Sequence, residues 1–120
     1  MGVGIVNSTE ITAFAVALQG INSEVNNAQR IDQIGALEDL KSAVCAAQAV
    51  ISAEFEDSVR TERRQRGVNA DRLSKGLSAQ IALARKESPH RGNHLLGQAR
   101  MLTDDMPHAL ELLRTGELNE

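Results

Sequence analysis

At 120 residues, 42% hydrophobic and 24% charged, the chain is long enough for one modest domain with a small core, and its composition is that of an ordinary globular protein. Two Phe, with neither Trp nor Tyr, leave Leu, Ile, Val and Ala to build that core, which favours close-packed helices over a β-sandwich. The lone Cys45 excludes an intrachain disulfide, no stretch approaches the roughly 18 apolar residues of a membrane span, and the net charge of −3 conceals a strong internal division.

Residues 1–57 carry two basic against eight acidic side chains, a balance of −6. Residues 58–100 carry ten against three, +7, and residues 101–120 one against five, −4. A basic middle between acidic ends permits either a nucleic-acid surface or an intramolecular charge match. The N-terminus lacks the positive segment of a secretory signal and meets Glu10 early, so the chain reads as cytoplasmic with no membrane partner.

Taken in order, residues 1–7 read as frayed or extended. Ser8 or Thr9 can cap a first helix, with Glu10 in its first turn and Ile11, Phe14, Ala15, Leu18, Ile21 and Val25 at helical spacing. Gly20 and the asparagines 22, 26 and 27 weaken it, and it is expected to end near Asn26. A second, longest helix follows from Ile31, Ile34, Leu37, Leu40, Val44, Ala47, Ile51, Phe55 and Val59, a stripe at steps of three and four that continues to about Arg64 and makes a rod of about 50 Å. Gly35 is a weak point near its start. The stripe from Ile34 to Phe55 is expected to be buried along its length, against the first helix and against the C-terminal unit or a second subunit.

The basic run 60–66 complements the helix C-terminus, and Gly67 supplies its stop. Residues 67–76 read as a mobile connector with at most one helical turn. A third helix is expected from Leu77 or Ser78 to Glu87. Ser88 caps a fourth with Pro89 at its first position, and Leu95, Leu96, Ala99 and Leu102 form its buried side. Asp104 and Asp105 read as caps and dipole partners of a fifth helix that opens at Pro107 and stops at Gly116. The closing residues 117–120 look like the start of another element, so the chain reads as truncated there. The expected architecture is all-α: an N-terminal helical hairpin with one long helix (1–66), the connector (67–76) and a compact three-helix, helix-turn-helix-like unit (77–120).

The run Ala79-Gln80-Ile81-Ala82-Leu83-Ala84-Arg85-Lys86-Glu87-Ser88-Pro89-His90-Arg91-Gly92, then Met106-Pro107-His108 and Gly116-Glu117-Leu118, resembles the thirteen-E-twelve repeat family, as does Leu37-Glu38-Asp39-Leu40-Lys41 on the long helix. The resemblance covers about two thirds of the chain. It implies an all-α domain of the kind that often precedes an HNH-type endonuclease domain, and hence a link to DNA transactions. Gly92-Asn93-His94 is not the nuclease motif, because it lacks the paired strands and the metal-ligating helix; the nuclease lies far downstream in family members. The expectation is therefore a non-catalytic accessory domain.

A second, weaker resemblance, to partition-protein-type helix-turn-helix proteins, rests on Ile81, Ala82, Ala84, Ser88, Leu95 and Leu96. It implies a support helix at 77–87 and a recognition helix at 89–103. Lys86 and Glu87 depart from that pattern, standing where the turn usually has Gly and an apolar residue, and Gly92 replaces an apolar anchor. The candidate nucleic-acid-binding set is Arg85, Lys86, Arg91, Asn93, His94, Gln98 and Arg100, since Arg and Asn can read base edges and Arg and Lys can hold phosphates.

His90 and His94 have chelating spacing but lack the further ligands that zinc requires. No phosphate-binding loop or activated nucleophile is apparent, so no catalytic residue, metal or cofactor is assigned. DNA is the expected partner, together with a second copy through the long helix. An oligomerisation or protein-interaction module with no nucleic-acid role is the alternative.

Overall fold

A computed structural model of the protein describes residues 6–118, which form α1 (Ser8–Gln19), α2 (Asn27–Gln65), α3 (Leu77–Ala84), α4 (Pro89–Arg100) and α5 (Pro107–Arg114) with no strand among them. The chain is all-α with one long helix and a C-terminal helical group. No described helix is long and apolar enough to cross a membrane. The expected frayed start falls largely on residues 1–5, which lie outside the described residues, as do the last two of the closing tail. The chain divides into two compact units at Gly35 and Ala36, inside α2.

In the first unit the cap of α1 is Asn7, not Ser8 or Thr9. Its Oδ1 accepts from the N–H groups of Thr9 (2.9 Å) and Glu10 (3.2 Å), and the Glu10 carboxylate accepts from the Asn7 N–H (3.0 Å), a reciprocal box. The helix ends at Gln19, well before Asn26, because Asn26 is used to begin the next helix. Its side chain accepts from the Gln29 N–H (2.8 Å) and Gln29 returns the bond (2.9 Å). Arg30 donates to Asn27 Oδ1 and to the Ser23 carbonyl, and Gln33 to the Asn22 carbonyl, so the link folds onto the first turns of α2. Every α1 residue is exposed, including Ile11 and Phe14.

In the second unit the buried face of α2 is Ser42, Ala46, Ala49 and Ala53. Ala46 and Ala49 share a core with Ala99 of α4 and with Leu110 and Leu113 of α5, edged by Cys45, Val50 and Leu102. Within the single chain the C-terminal helices cover this alanine face and not the stripe of larger residues: Leu40, Val44 and Ile51 are 42%, 46% and 57% exposed. Leu40, Val44 and Ile51 lie on the other side of the helix from its packed alanines.

Three helices end alike. After α2 the Val68 N–H reaches the Arg63 carbonyl with Gly67 at φ +81°, and after α5 the Glu117 N–H reaches the Leu112 carbonyl with Gly116 at φ +83°. After α3 the Glu87 N–H reaches the Ala82 carbonyl, and the left-handed position is held by Lys86 at φ +59°. That reversal stops α3 at Ala84, three residues before the expected end.

The connector is pinned rather than mobile. It contains a 3₁₀ turn (Ala70–Arg72), Leu73 is 3% exposed, and one Arg63 nitrogen donates to the carbonyls of Leu73 (3.1 Å) and Lys75 (2.8 Å). The basic end of α2 thus satisfies a neighbouring loop as well as its own helix terminus. Beyond α4 the helix widens into a π turn over residues 101–105, where Asp104 pairs with Arg100; α5 has no side-chain cap, so the capping role expected of Asp104 and Asp105 is not what the fold uses.

Candidate nucleic-acid interface

α3 and α4 form a tight helix–turn–helix. Ser88 caps α4 by accepting from the Arg91 N–H (3.2 Å), with Pro89 in the first turn where a missing N–H costs nothing. The crossing is set by Gly92, which is buried. A Cβ there would fall 2.6 Å from the Ala82 Cβ and would also collide with the Ser78 carbonyl oxygen. The absent side chain therefore takes the place of an apolar anchor: it lets α4 rest on the α3 backbone. Leu95 and Ala99 continue the buried side of α4, and Leu77, Ile81 and Ala82 that of α3.

The seven candidate residues separate into groups. Lys86 and Arg91 are exposed beside the start of α4, one on the turn and one in the first helical turn, and neither has a carboxylate partner among the described residues. His94 and Gln98 follow Arg91 at steps of three and four, which puts the three on one side of α4, all exposed. Asn93 is exposed too, but its Oδ1 accepts a 2.5 Å hydrogen bond from Ser78 and so clasps α3. Arg85 is half-buried and lines an apolar groove between α2 and α3; with Gln98 it also borders a smaller cavity near Cys45.

Arg100 is held from three sides. Its nitrogens lie 2.9 Å from Asp57, 2.9 Å from Asp104 and 3.6 Å from Glu56, and it donates to the Ala53 carbonyl at 3.1 Å. Burial works against its charge, but the hydrogen bond to Asp57 and the charges of Asp57, Asp104 and Glu56 outweigh it and hold the guanidinium pKa above its ordinary value. Glu56 extends this network to the connector, accepting from Ser74 Oγ (2.9 Å), which in turn accepts from Arg60 (2.7 Å). Part of the basic block is thus an intramolecular charge match.

In the sequence, Arg85, Lys86, Arg91 and Arg100 look like one binding set, and the division between exposed and paired cations does not show. The available signal was the i, i+4 spacing of Arg100 and Asp104. The approach of Glu56 and Asp57 is tertiary and leaves no local trace. Among the described residues no three His, Cys, Asp or Glu side chains converge as a metal site would need. Comparison with protein-family models, curated proteins and solved structures finds no match for the chain.

Proposed function

We propose that the protein is a non-catalytic helical accessory domain, of the kind associated with HNH nucleases, that binds nucleic acid weakly through the turn and first helical turn of the α3–α4 unit. The observation that carries this reading is a contrast among the cations. Lys86 and Arg91 are exposed beside the start of α4, with no carboxylate partner among the described residues, whereas the charge of Arg100 is met by Glu56, Asp57 and Asp104. Two cations beside a helix N-terminus suit a phosphate, because the first N–H groups and the helix dipole both favour negative charge. His94 and Gln98 would lie next along the strand; Asn93, tied to Ser78, helps to position α4.

Two phosphate contacts give little affinity. Binding in the non-specific range, on the order of 10⁻⁴–10⁻⁶ M, with a shallow but real salt dependence follows. The test is retardation of a short DNA duplex at two salt concentrations. Retention at low salt that disappears at high salt supports the reading, and no retention at low salt defeats it.

A further inference from the structure

We propose that the groove of about 420 Å³ between α2 and α3 binds a medium-chain fatty-acid carboxylate, with its head at Arg85 and its tail along Ile51, Phe55 and Ile81. This goes beyond the nucleic-acid reading and does not depend on it. The groove lies wholly within the second unit, residues 36–120. Ser74, just ahead of α3, donates to Glu56 and accepts from Arg60 of α2. From there α3 runs back along α2, and Arg85, just past its end, lines the groove with Gln48 and Ser52. The same three side chains border the smaller cavity near Cys45, which touches neither Phe55 nor Ile81. The groove is therefore polar at its Gln48–Arg85 end and apolar at its Phe55–Ile81 end, with exposed Gln80 as its other polar residue.

Charge says what the polar end takes. Arg85 is half-buried, and its guanidinium makes no ion pair and no hydrogen bond among the described residues. No Asp or Glu lines the groove. Glu56 pairs with Arg100 and accepts from Ser74, and Glu87 is exposed on the turn, flanked by Lys86. In line with the groove on α2 the next charges are Lys41 and Glu62, each about two turns beyond an end, and Lys41 pairs with Glu38. The Arg85 end is therefore positive and unmatched. A half-buried cation beside apolar surface is best met by an anion that brings its own hydrocarbon, because the carboxylate pairs with the guanidinium while the chain covers the apolar wall.

Size points to a small molecule rather than a protein helix. A helix about 10 Å across occupies roughly 400 Å³ per turn, so the groove holds a single turn, too little to seat a helical partner. Its volume and its make-up, an apolar lining with few polar groups, are those of a small-ligand pocket, whose usual range is roughly 300–1,000 Å³. From Gln48 to Phe55 it runs about 10 Å at 1.5 Å per residue, the length of a chain of roughly eight carbons. Ile51 is 57% exposed, so the groove is open on one side. A ligand of about ten heavy atoms should then bind with a Kd on the order of 100 μM.

The test titrates the full chain by calorimetry with octanoate, and with octanol, acetate and inorganic phosphate as comparison probes. Octanoate should bind at least about tenfold more tightly than any of the three. Arg85→Gln should weaken octanoate about tenfold and leave octanol unchanged, whereas Ile51→Asn should weaken both. Circular dichroism should show both variants folded, since neither side chain belongs to the buried core. Absence of octanoate binding at about 1 mM overturns the site. Equal binding of octanoate and octanol overturns the role of Arg85, and octanoate binding untouched by either variant overturns the choice of groove. Phosphate bound as tightly as octanoate makes Arg85 part of a simple anion site and overturns the fatty-acid reading. A chain that light scattering shows to dimerise at about 100 μM, and that excludes octanoate, gives the groove to a second copy and overturns it equally.

Discussion

Lys86 sits at φ +59°, a conformation that costs an L-residue with a Cβ roughly 1–2 kcal/mol relative to right-handed backbone and costs glycine almost nothing. It is also one of the two cations assigned to phosphate. A single replacement therefore separates the roles: Lys86→Gly should raise stability by up to about 1 kcal/mol, allowing for glycine's greater freedom when unfolded, while weakening DNA binding. Thermal unfolding and DNA titration of the same sample check both halves. Arg100 is the converse case. Its charge joins α4 to Glu56 and Asp57 of α2, and removing it leaves Glu56, 15% exposed at its side chain, without that cation. Arg100→Ala should cost about 2 kcal/mol, at the level expected for breaking a charge-assisted hydrogen-bond network with partial solvent screening, and should leave DNA affinity per folded molecule unchanged. Urea unfolding with a parallel titration measures both.

Among the elements, the α3–α4 pair depends on close packing rather than on propensity. α3 has eight residues, too few to be stable alone, so its helix persists because Leu77, Ile81 and Ala82 are buried and Gly92 permits the approach. Gly92→Ala would gain helix propensity yet force the helices apart, because the obstacles are a backbone carbonyl and a Cβ with no freedom to move. A loss of about 1–3 kcal/mol is expected, and chemical denaturation would show it. The helix stops were legible in sequence where glycine marks them, at Gly67 and Gly116. The one made by Lys86 was hidden, because nothing local requires a lysine to turn left-handed.

The pinning of the connector was hidden too. Gly67, Asn69 and Gly76 read as flexible, whereas burial of Leu73 and three-centre donation by Arg63 are decided by tertiary packing. On α2 the three-and-four spacing correctly marked a helix, but the spacing of large residues did not show which side packs inward. The alanine-rich run 42–53 suits close helix packing on sequence grounds, but that its face meets Ala99, Leu110 and Leu113 is decided by tertiary packing.

Over the whole chain, the charge pattern of −6, +7 and −4 along the sequence overstates the surface available to a polyanion. Arg60, Arg63 and Arg100 of the basic block serve the fold, through Ser74, the connector carbonyls and three carboxylates respectively. What remains exposed at the α3–α4 unit is Lys86 and Arg91, with His94 and Gln98 along the same helix, while Arg85 is half-buried beside α2. Nucleic-acid binding by this pair is the central claim, and the most direct test is the salt dependence of duplex binding, followed by fluorescence anisotropy between about 20 and 150 mM salt. The account predicts that the slope of log affinity against log salt becomes shallower by about two units in Lys86→Gly combined with Arg91→Gln, roughly 0.9 for each phosphate no longer neutralised, while the variant remains folded. A slope equal to that of the unaltered protein, or the absence of binding by the unaltered protein at the lowest salt, would contradict it.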